Sequence, residues 1–174
     1  MSSALEADEG AVGSAEALRH VMASFVAGVT VVSTIWQDLG HAMTATAFSS
    51  VSLEPPLVLV CVSKKSRFHE AVLGAGRWAA SLLRSDQEHL ARHFANRGRD
   101  LKTQFNHVPH RPAPASGAPL INGAHGWLDC ETYATYKGGD HTIVVGQVVR
   151  ASREAPSGWP LAYYRGSYLD PIAP

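Results

Sequence analysis

Apolar positions along the chain switch between a helical and a strand period, and the switches predict its elements. Leu18, Val21, Met22 and Phe25 recur at i, i+3, i+4, i+7 behind Ser14 as a cap and Glu16 in the first turn. They predict a helix that packs on the core and ends near Gly28. Residues 29–35 are β-branched almost throughout, and Asp38-Leu39-Gly40 supplies turn chemistry, so this run pairs antiparallel with the stretch that starts at Met43. Residues 43–63 read as a strand of small and hydroxylated side chains, a Ser-rich turn, a Pro55-Pro56 corner and a fully apolar strand.

Ser66 can cap a short helix over residues 68–73 with Gly74 just past its end, and residues 78–83 form a further strand. Ser85-Asp86-Gln87-Glu88 has the form of a capping box, opening a helix through Leu90, Ala91 and Phe94 to about Asn96, with Gly98 ending it. Residues 98–126 carry Pro109, Pro112, Pro114 and Pro119 and little periodicity, which predicts a long irregular crossing of the surface, functional or mobile. Residues 127–136 and 141–150 are strands about the Gly-rich turn 137–140, and a short strand at 161–164 closes the set. Some six strands with helices appended rather than alternating predict a mainly β fold, an antiparallel barrel rather than a doubly wound sheet.

With 174 residues the chain suits one domain, burying about 70% of the surface of its unfolded form. Residues 1–13 are small, acidic and without periodicity, so they are expected to be a flexible tail to a domain spanning 14–174. Formal net charge is zero and Lys and Arg are scattered, which excludes the electrostatic footprint of a nucleic-acid or anionic-lipid binder. Cys61 and Cys130 lie in apolar strand patterns and form no CxxC pair, so zinc and a disulfide framework are not expected. Both are read as buried thiols in a reducing compartment. No signal-like leader and no apolar run near 18 residues occurs, and the expectation is a soluble, cytoplasmic protein without a membrane or nucleic-acid partner.

Small side chains on a strand let a flat ligand approach the backbone, and hydroxyls at Thr44, Thr46, Ser49, Ser50, Ser63 and Ser66 can bond phosphate or ring edges. That combination suggests a phosphorylated planar ligand, with an anion near Ser66 facing free backbone N–H groups. Other motifs fail on context. Gly74-Ala75-Gly76-Arg77-Trp78-Ala79 matches a dinucleotide fingerprint in letters, but follows a helix and opens a strand, the reverse of what that fingerprint needs. His89 and His93 share a helix face without a third ligand, His107 and His110 have no neighbouring carboxylate or thiol, and no metal is expected. Neither G-x-S-x-G nor a P-loop is present.

Gly-Val-Thr-Val-Val at 28–32, Thr-Ala-Thr-Ala-Phe-Ser-Ser-Val-Ser-Leu-Glu-Pro-Pro-Leu at 44–57, Gly-Asp-His at 139–141 and Tyr-Tyr-Arg-Gly-Ser-Tyr at 163–168 stand in the order of one family. The chain resembles the flavin reductase-like proteins, the small reductase components of two-component flavin monooxygenases, from about residue 16 to 168. The resemblance implies an FMN-binding split β-barrel that dimerises and uses NADH or NADPH to reduce FMN or FAD for a separate oxygenase. It places Thr44, Ala45, Thr46, Ser49 and Ser50 along the isoalloxazine and ribityl chain, and Cys61, Val62, Ser63, Ser66 and Arg67 around the phosphate. It brings Phe94 and Ala95 to the flavin from the second helix and sets His141, as the catalytic residue, and Tyr164 beside the nicotinamide. Alternatives within reach are an oxidase of the pyridoxamine-phosphate-oxidase type and a non-catalytic flavin-binding domain.

Overall fold

The computed structural model describes residues 13–154 and 157–169; the expected tail lies outside them apart from Gly13. Helix α1 (Ala15–Met22) leads through β1 (Ala27–Gly28) into β2 (Thr30–Trp36), β3 (Leu39–Ala45), β4 (Phe48–Leu53) and β5 (Pro56–Ser63). Helix α2 (Arg67–Ala75), β6 (Arg77–Leu82), a 3-10 turn (Ser85–Gln87) and α3 (Glu88–Ala95) follow. The chain then forms β7 (His110–Pro112), β8 (Pro119–Ile121), β9 (Gly126–Gly138), β10 (His141–Arg153), β11 (Ala162–Tyr164) and β12 (Ser167–Leu169).

Seven strands make one antiparallel sheet in the order β3-β2-β6-β9-β10-β5-β4, with small sheets β1-β11-β12 and β7-β8 beside it. Consecutive strands β3 and β4 thus stand at opposite edges, joined only by Thr46 and Ala47. Three Cα–Cα steps span at most about 11 Å, so the sheet must curl until its edges nearly meet. The expected mainly β, antiparallel fold is borne out, with a seam between β3 and β4 rather than a shared ladder. Val32, Val60, Val62, Phe68, Trp78 and Val144 fill the interior of the curl.

Local chemistry accounts for the elements and for several departures from expectation. The β2–β3 turn is Gln37-Asp38, both at positive φ (51° and 61°), one residue before the predicted Asp38-Leu39-Gly40; this two-residue turn matches the twist of the strands it joins. Residues 48–53, expected as a Ser-rich turn, are strand β4, paired with β5 across a bulge between Ser50 and Ser52. The strand read as fully apolar alternates: Val58, Val60 and Val62 are buried while Leu57, Leu59, Cys61 and Ser63 are half-buried. Cys61 is therefore not the buried thiol expected; Cys130 is, and burial, with Asp129 beside it, pushes its thiol up to about 12.

Ser66 caps α2 as predicted, its hydroxyl accepting from the Phe68 N–H, but the helix ends at Gly76 (φ 64°) rather than Gly74. Gly74 lies inside it and serves packing instead of termination: a Cβ there would stand 2.5 Å from Nε1 of Trp36. The capping box shifts too: Gln87 Oε1 accepts from the Arg84 N–H at 3.1 Å, and the first turn is 3-10. The α1 helix has its predicted cap but stops at Met22, short of Phe25 and Gly28; Leu18 and Val21 on it are 63% and 68% exposed, so it does not pack on its own core. Periodicity specifies a face to cover, not what covers it.

Residues 98–126 are not a loose crossing. Gln104 is buried; its Nε2 donates to the Gly40 carbonyl at 2.7 Å, its Oε1 accepts from Arg99 Nε at 2.8 Å, and its carbonyl meets His93 Nε2 at 2.8 Å. The buried carboxylate of Asp129 accepts from the N–H groups of Ala115 and Ser116, pinning the β7–β8 hairpin over β9. Buried polar side chains that saturate backbone donors and acceptors explain how a Pro-rich segment without periodicity becomes ordered.

Candidate functional site

The end of β5, the first turn of α2, β3 and the end of α3 surround a cavity of about 220 Å3. Six of the residues marked from sequence line it: Thr44, Ser63, Ser66, Arg67, Phe94 and Ala95. The sequence places them there through distinct devices. Ser63 is the last residue of β5, the Ser66 cap turns the chain so that Arg67 opens α2, and Phe94, 1% exposed, is buried by the amphipathic face of α3. Thr44 spends its proton: its hydroxyl donates to the Ala91 carbonyl at 2.6 Å, tying β3 to α3, and only its lone pairs remain for a ligand.

The others marked do not line this cavity. Ala45 and Val62 point into the core, Cys61 is half-buried on the other face of β5, and Thr46, Ser49 and Ser50 are exposed on the seam crossing and β4. Tyr164 is half-buried on β11, with the Arg165 guanidinium 5.2 Å from its ring centre. His141 begins β10 directly opposite Ser63, and its Nδ1 lies 2.8 Å from Asp140 Oδ1. That contact, chiefly through its hydrogen bond, holds the Asp140 carboxyl below its usual range.

The cavity also holds side chains that sequence reading missed: His41, Lys65, Arg97 and Arg99. No Asp or Glu lines it, and no salt bridge among the described residues involves Lys65, Arg67, Arg97 or Arg99. Arg67 instead donates to the carbonyls of Arg97 and Arg99 at 2.9 and 2.7 Å, while Arg99 bonds Gln104, the Asn96 carbonyl and the Ala42 carbonyl. Burial, and then Arg67, lower Arg99 to about 10, so it remains charged at neutral pH. His41 is 6% exposed, its Nδ1 has no hydrogen-bond partner, and burial with the two arginines keeps its pKa below the ordinary value against the Trp36 carbonyl. Four cations without a carboxylate, beside the N-terminus of a nine-residue helix, give the cavity a positive field that suits an anion. Arg97-Gly98-Arg99 directly after the α3 residues Phe94 and Ala95 was the available signal for the missed arginines.

A second, larger and mainly apolar cavity of about 800 Å3 opens among Phe48, Leu82, Trp127, Leu128 and Trp159; none of the marked residues lines it. Among the described residues no cluster of three or more His, Cys, Asp or Glu could hold a metal, and His89 is exposed while His93 is spent on Gln104.

The family profile described as Flavin reductase like domain matches residues 22–170. A NADH-dependent FAD reductase from Streptomyces globisporus is 44% identical over 144 residues, covering 82% of this chain and 76% of that protein. The reductase component of 4-hydroxyphenylacetate 3-monooxygenase from Thermus thermophilus is 40% identical over 159 residues, covering 88% of this chain and 94% of that protein. Among solved structures, the NADH:FAD oxidoreductase SgcE6 of Streptomyces globisporus C-1027 superposes with a TM-score of 0.86 at 39% identity, covering 97% of this chain and 99% of the other.

Proposed function

The chain belongs to the flavin reductase-like family, and from that premise we propose that it passes hydride from NADH or NADPH to FMN or FAD and hands the reduced flavin to a separate oxygenase. The observation that carries the reading is the carboxylate-free cavity at the start of α2, whose donor set fits a flavin phosphate. Ser63, Ser66 and Arg67 grip the phosphate oxygens, Lys65 and Arg97 add mobile charge, and Arg99, with its donors already engaged, adds a fixed one. Thr44, Ala45, Thr46, Ser49 and Ser50 follow the ribityl chain and ring across the seam, with Cys61 and Val62 contributing backbone from β5 and Phe94 and Ala95 closing from α3. When bound, the flavin supplies the hydride acceptor and the nicotinamide the hydride. The chain's own task is to stack the two rings and exclude water, with His141 and Tyr164 on the nicotinamide side.

The assembly proposed is a homodimer. Leu18, Val21 and Met22 on α1 and Phe25 just after it are exposed, Leu53 at the end of β4 is 87% exposed, and a second copy of the chain would cover such apolar surface. Two free thiols fit a cytoplasmic location, and no helix among the described residues is long and apolar enough to cross a membrane. The test is anaerobic mixing of the purified protein, loaded with FMN or FAD, with NADH and separately with NADPH while flavin absorbance is followed. Rapid bleaching is expected; flavin that stays oxidised over minutes refutes the reductase reading, and a monomer mass by light scattering refutes the dimer.

A further inference from the structure

The turn that carries the anion receptor and the turn that carries His141 are bound to each other at one residue that lines neither cavity. The β5–β10 ladder ends at the pair Ser63 and His141. One residue on, the Lys64 N–H donates to the Asp140 carbonyl at 3.0 Å, and Lys64 Nζ donates to the Gly139 carbonyl at 2.5 Å. Gly139 sits at φ 61° at the tip of the β9–β10 turn, and Lys64 holds that tip from the end of the adjoining strand β5. On its other side Lys64 belongs to the anion turn: the Ser66 N–H donates to the Ser63 carbonyl at 2.9 Å, and the next residue, Lys65, lines the cavity. A second tie runs parallel, from His69 Nε2 on α2 to Thr142 Oγ1 at 2.8 Å, one residue past His141. The Gly139–His141 turn therefore hangs from the segment that closes on the phosphate.

Resting on the reductase reading above, we propose that Lys64 is a positioning residue that couples the two ligands, so that flavin phosphate bound at Ser63–Arg67 tightens capture of the nicotinamide nucleotide at His141. A phosphate drawing residues 63–67 together holds the Lys64 backbone in place, and the ammonium then fixes the Gly139 carbonyl and the orientation of the histidine behind it. Binding free energies are reciprocal, so the nicotinamide nucleotide tightens flavin by the same factor. Lys64 is exposed and its side chain packs on no core, so its loss leaves the fold standing.

Oxidised FMN and NAD+ do not react with each other, which allows the coupling to be read at equilibrium by calorimetry on the full chain. Wild type is expected to bind NAD+ about tenfold more tightly when saturated with FMN, a coupling of ordinary size. Lys64→Met is expected to lower that ratio by about threefold or more, leaving what direct stacking of the two rings contributes, with FMN affinity in the absence of NAD+ changed by less than about twofold, and Lys64→Arg to restore most of it. In turnover the Met variant raises KM for NADH more than it lowers kcat. A wild-type ratio of one, a Met variant that keeps the wild-type ratio, or one that loses FMN and NAD+ affinity by the same factor overturns the proposal. Failure of wild type to bind either FMN or FAD refutes the reductase reading itself.

Discussion

Replacing Arg67 by Ala separates recognition of the phosphate from recognition of the ring. In the structure one guanidinium nitrogen is engaged by the Arg97 and Arg99 carbonyls, while the group faces the same cavity as Ser63 and Ser66, with no carboxylate to neutralise it. A charge-assisted hydrogen bond to a ligand contributes about 1.5–3 kcal/mol, and taking about 2 kcal/mol gives a loss of about 30-fold in FMN affinity at 1.4 kcal/mol per decade. Riboflavin has the same ring and ribityl chain without the phosphate, so its affinity should change by less than about twofold. Fluorescence quenching titrations of wild type, Arg67→Ala and Arg67→Lys with both ligands give the double difference. Lysine keeps the charge but not the fork that reaches both the ligand and the loop carbonyls, so it should recover only part of the loss. Equal weakening of riboflavin and FMN in the Ala variant would refute phosphate recognition by Arg67 and point to a collapsed 97–99 segment instead.

Two further outcomes test the frame of the site. Gly146→Ala would bring a Cβ to 2.4 Å from Trp78 Cζ2 and 3.0 Å from Cys130 Cβ, and overpacking of about 2–3 kcal/mol lowers Tm by roughly 4–12 °C; an unchanged Tm by calorimetry contradicts the packing described. His41, held below its ordinary pKa of 6.5 by burial first and by Arg67 and Arg99, binds its proton more readily unfolded than folded. Stability is therefore full above about pH 6.5 and falls as pH drops through the folded value, so between pH 7.5 and 5.5 wild type should lose more Tm than His41→Gln, and parallel curves would exclude the imidazole as the cause.

What the sequence disclosed and what it withheld divide along the range of the interactions. The Ser66 cap, the β2–β3 pairing and the α3 face depend on neighbours within a few residues, and each was legible. The assembly of the cation cluster was not: Arg97-Gly98-Arg99 is visible after α3, but Arg67 meets its carbonyls across some 30 residues, and a pairing at that range has no local signal. The same holds for the 98–126 segment, whose order depends on Gln104 and Asp129, two polar residues that composition assigns to the surface and the structure buries at 2% and 0% exposure. The α1 face was legible as apolar, but it does not pack on the chain's own described core.

The seam explains why the candidate site collects residues from such distant parts of the chain. An antiparallel sheet whose first hairpin and last-added edge are consecutive in sequence must curl, and at the crossing Thr46-Ala47 the backbone leaves one edge before joining the other. There main-chain groups escape the usual ladder, and the Ala47 carbonyl accepts from the Cys61 N–H at 3.0 Å, fastening the crossing to β5. Helices α2 and α3 cover the adjoining end of β3, and their termini bring the N–H groups of one and the arginines following the other to the same opening. A motif confined to one segment could not assemble that set. It follows from the strand order, in which the cationic cavity at the end of β5 and the turn that carries His141 become neighbours through the β5–β10 ladder.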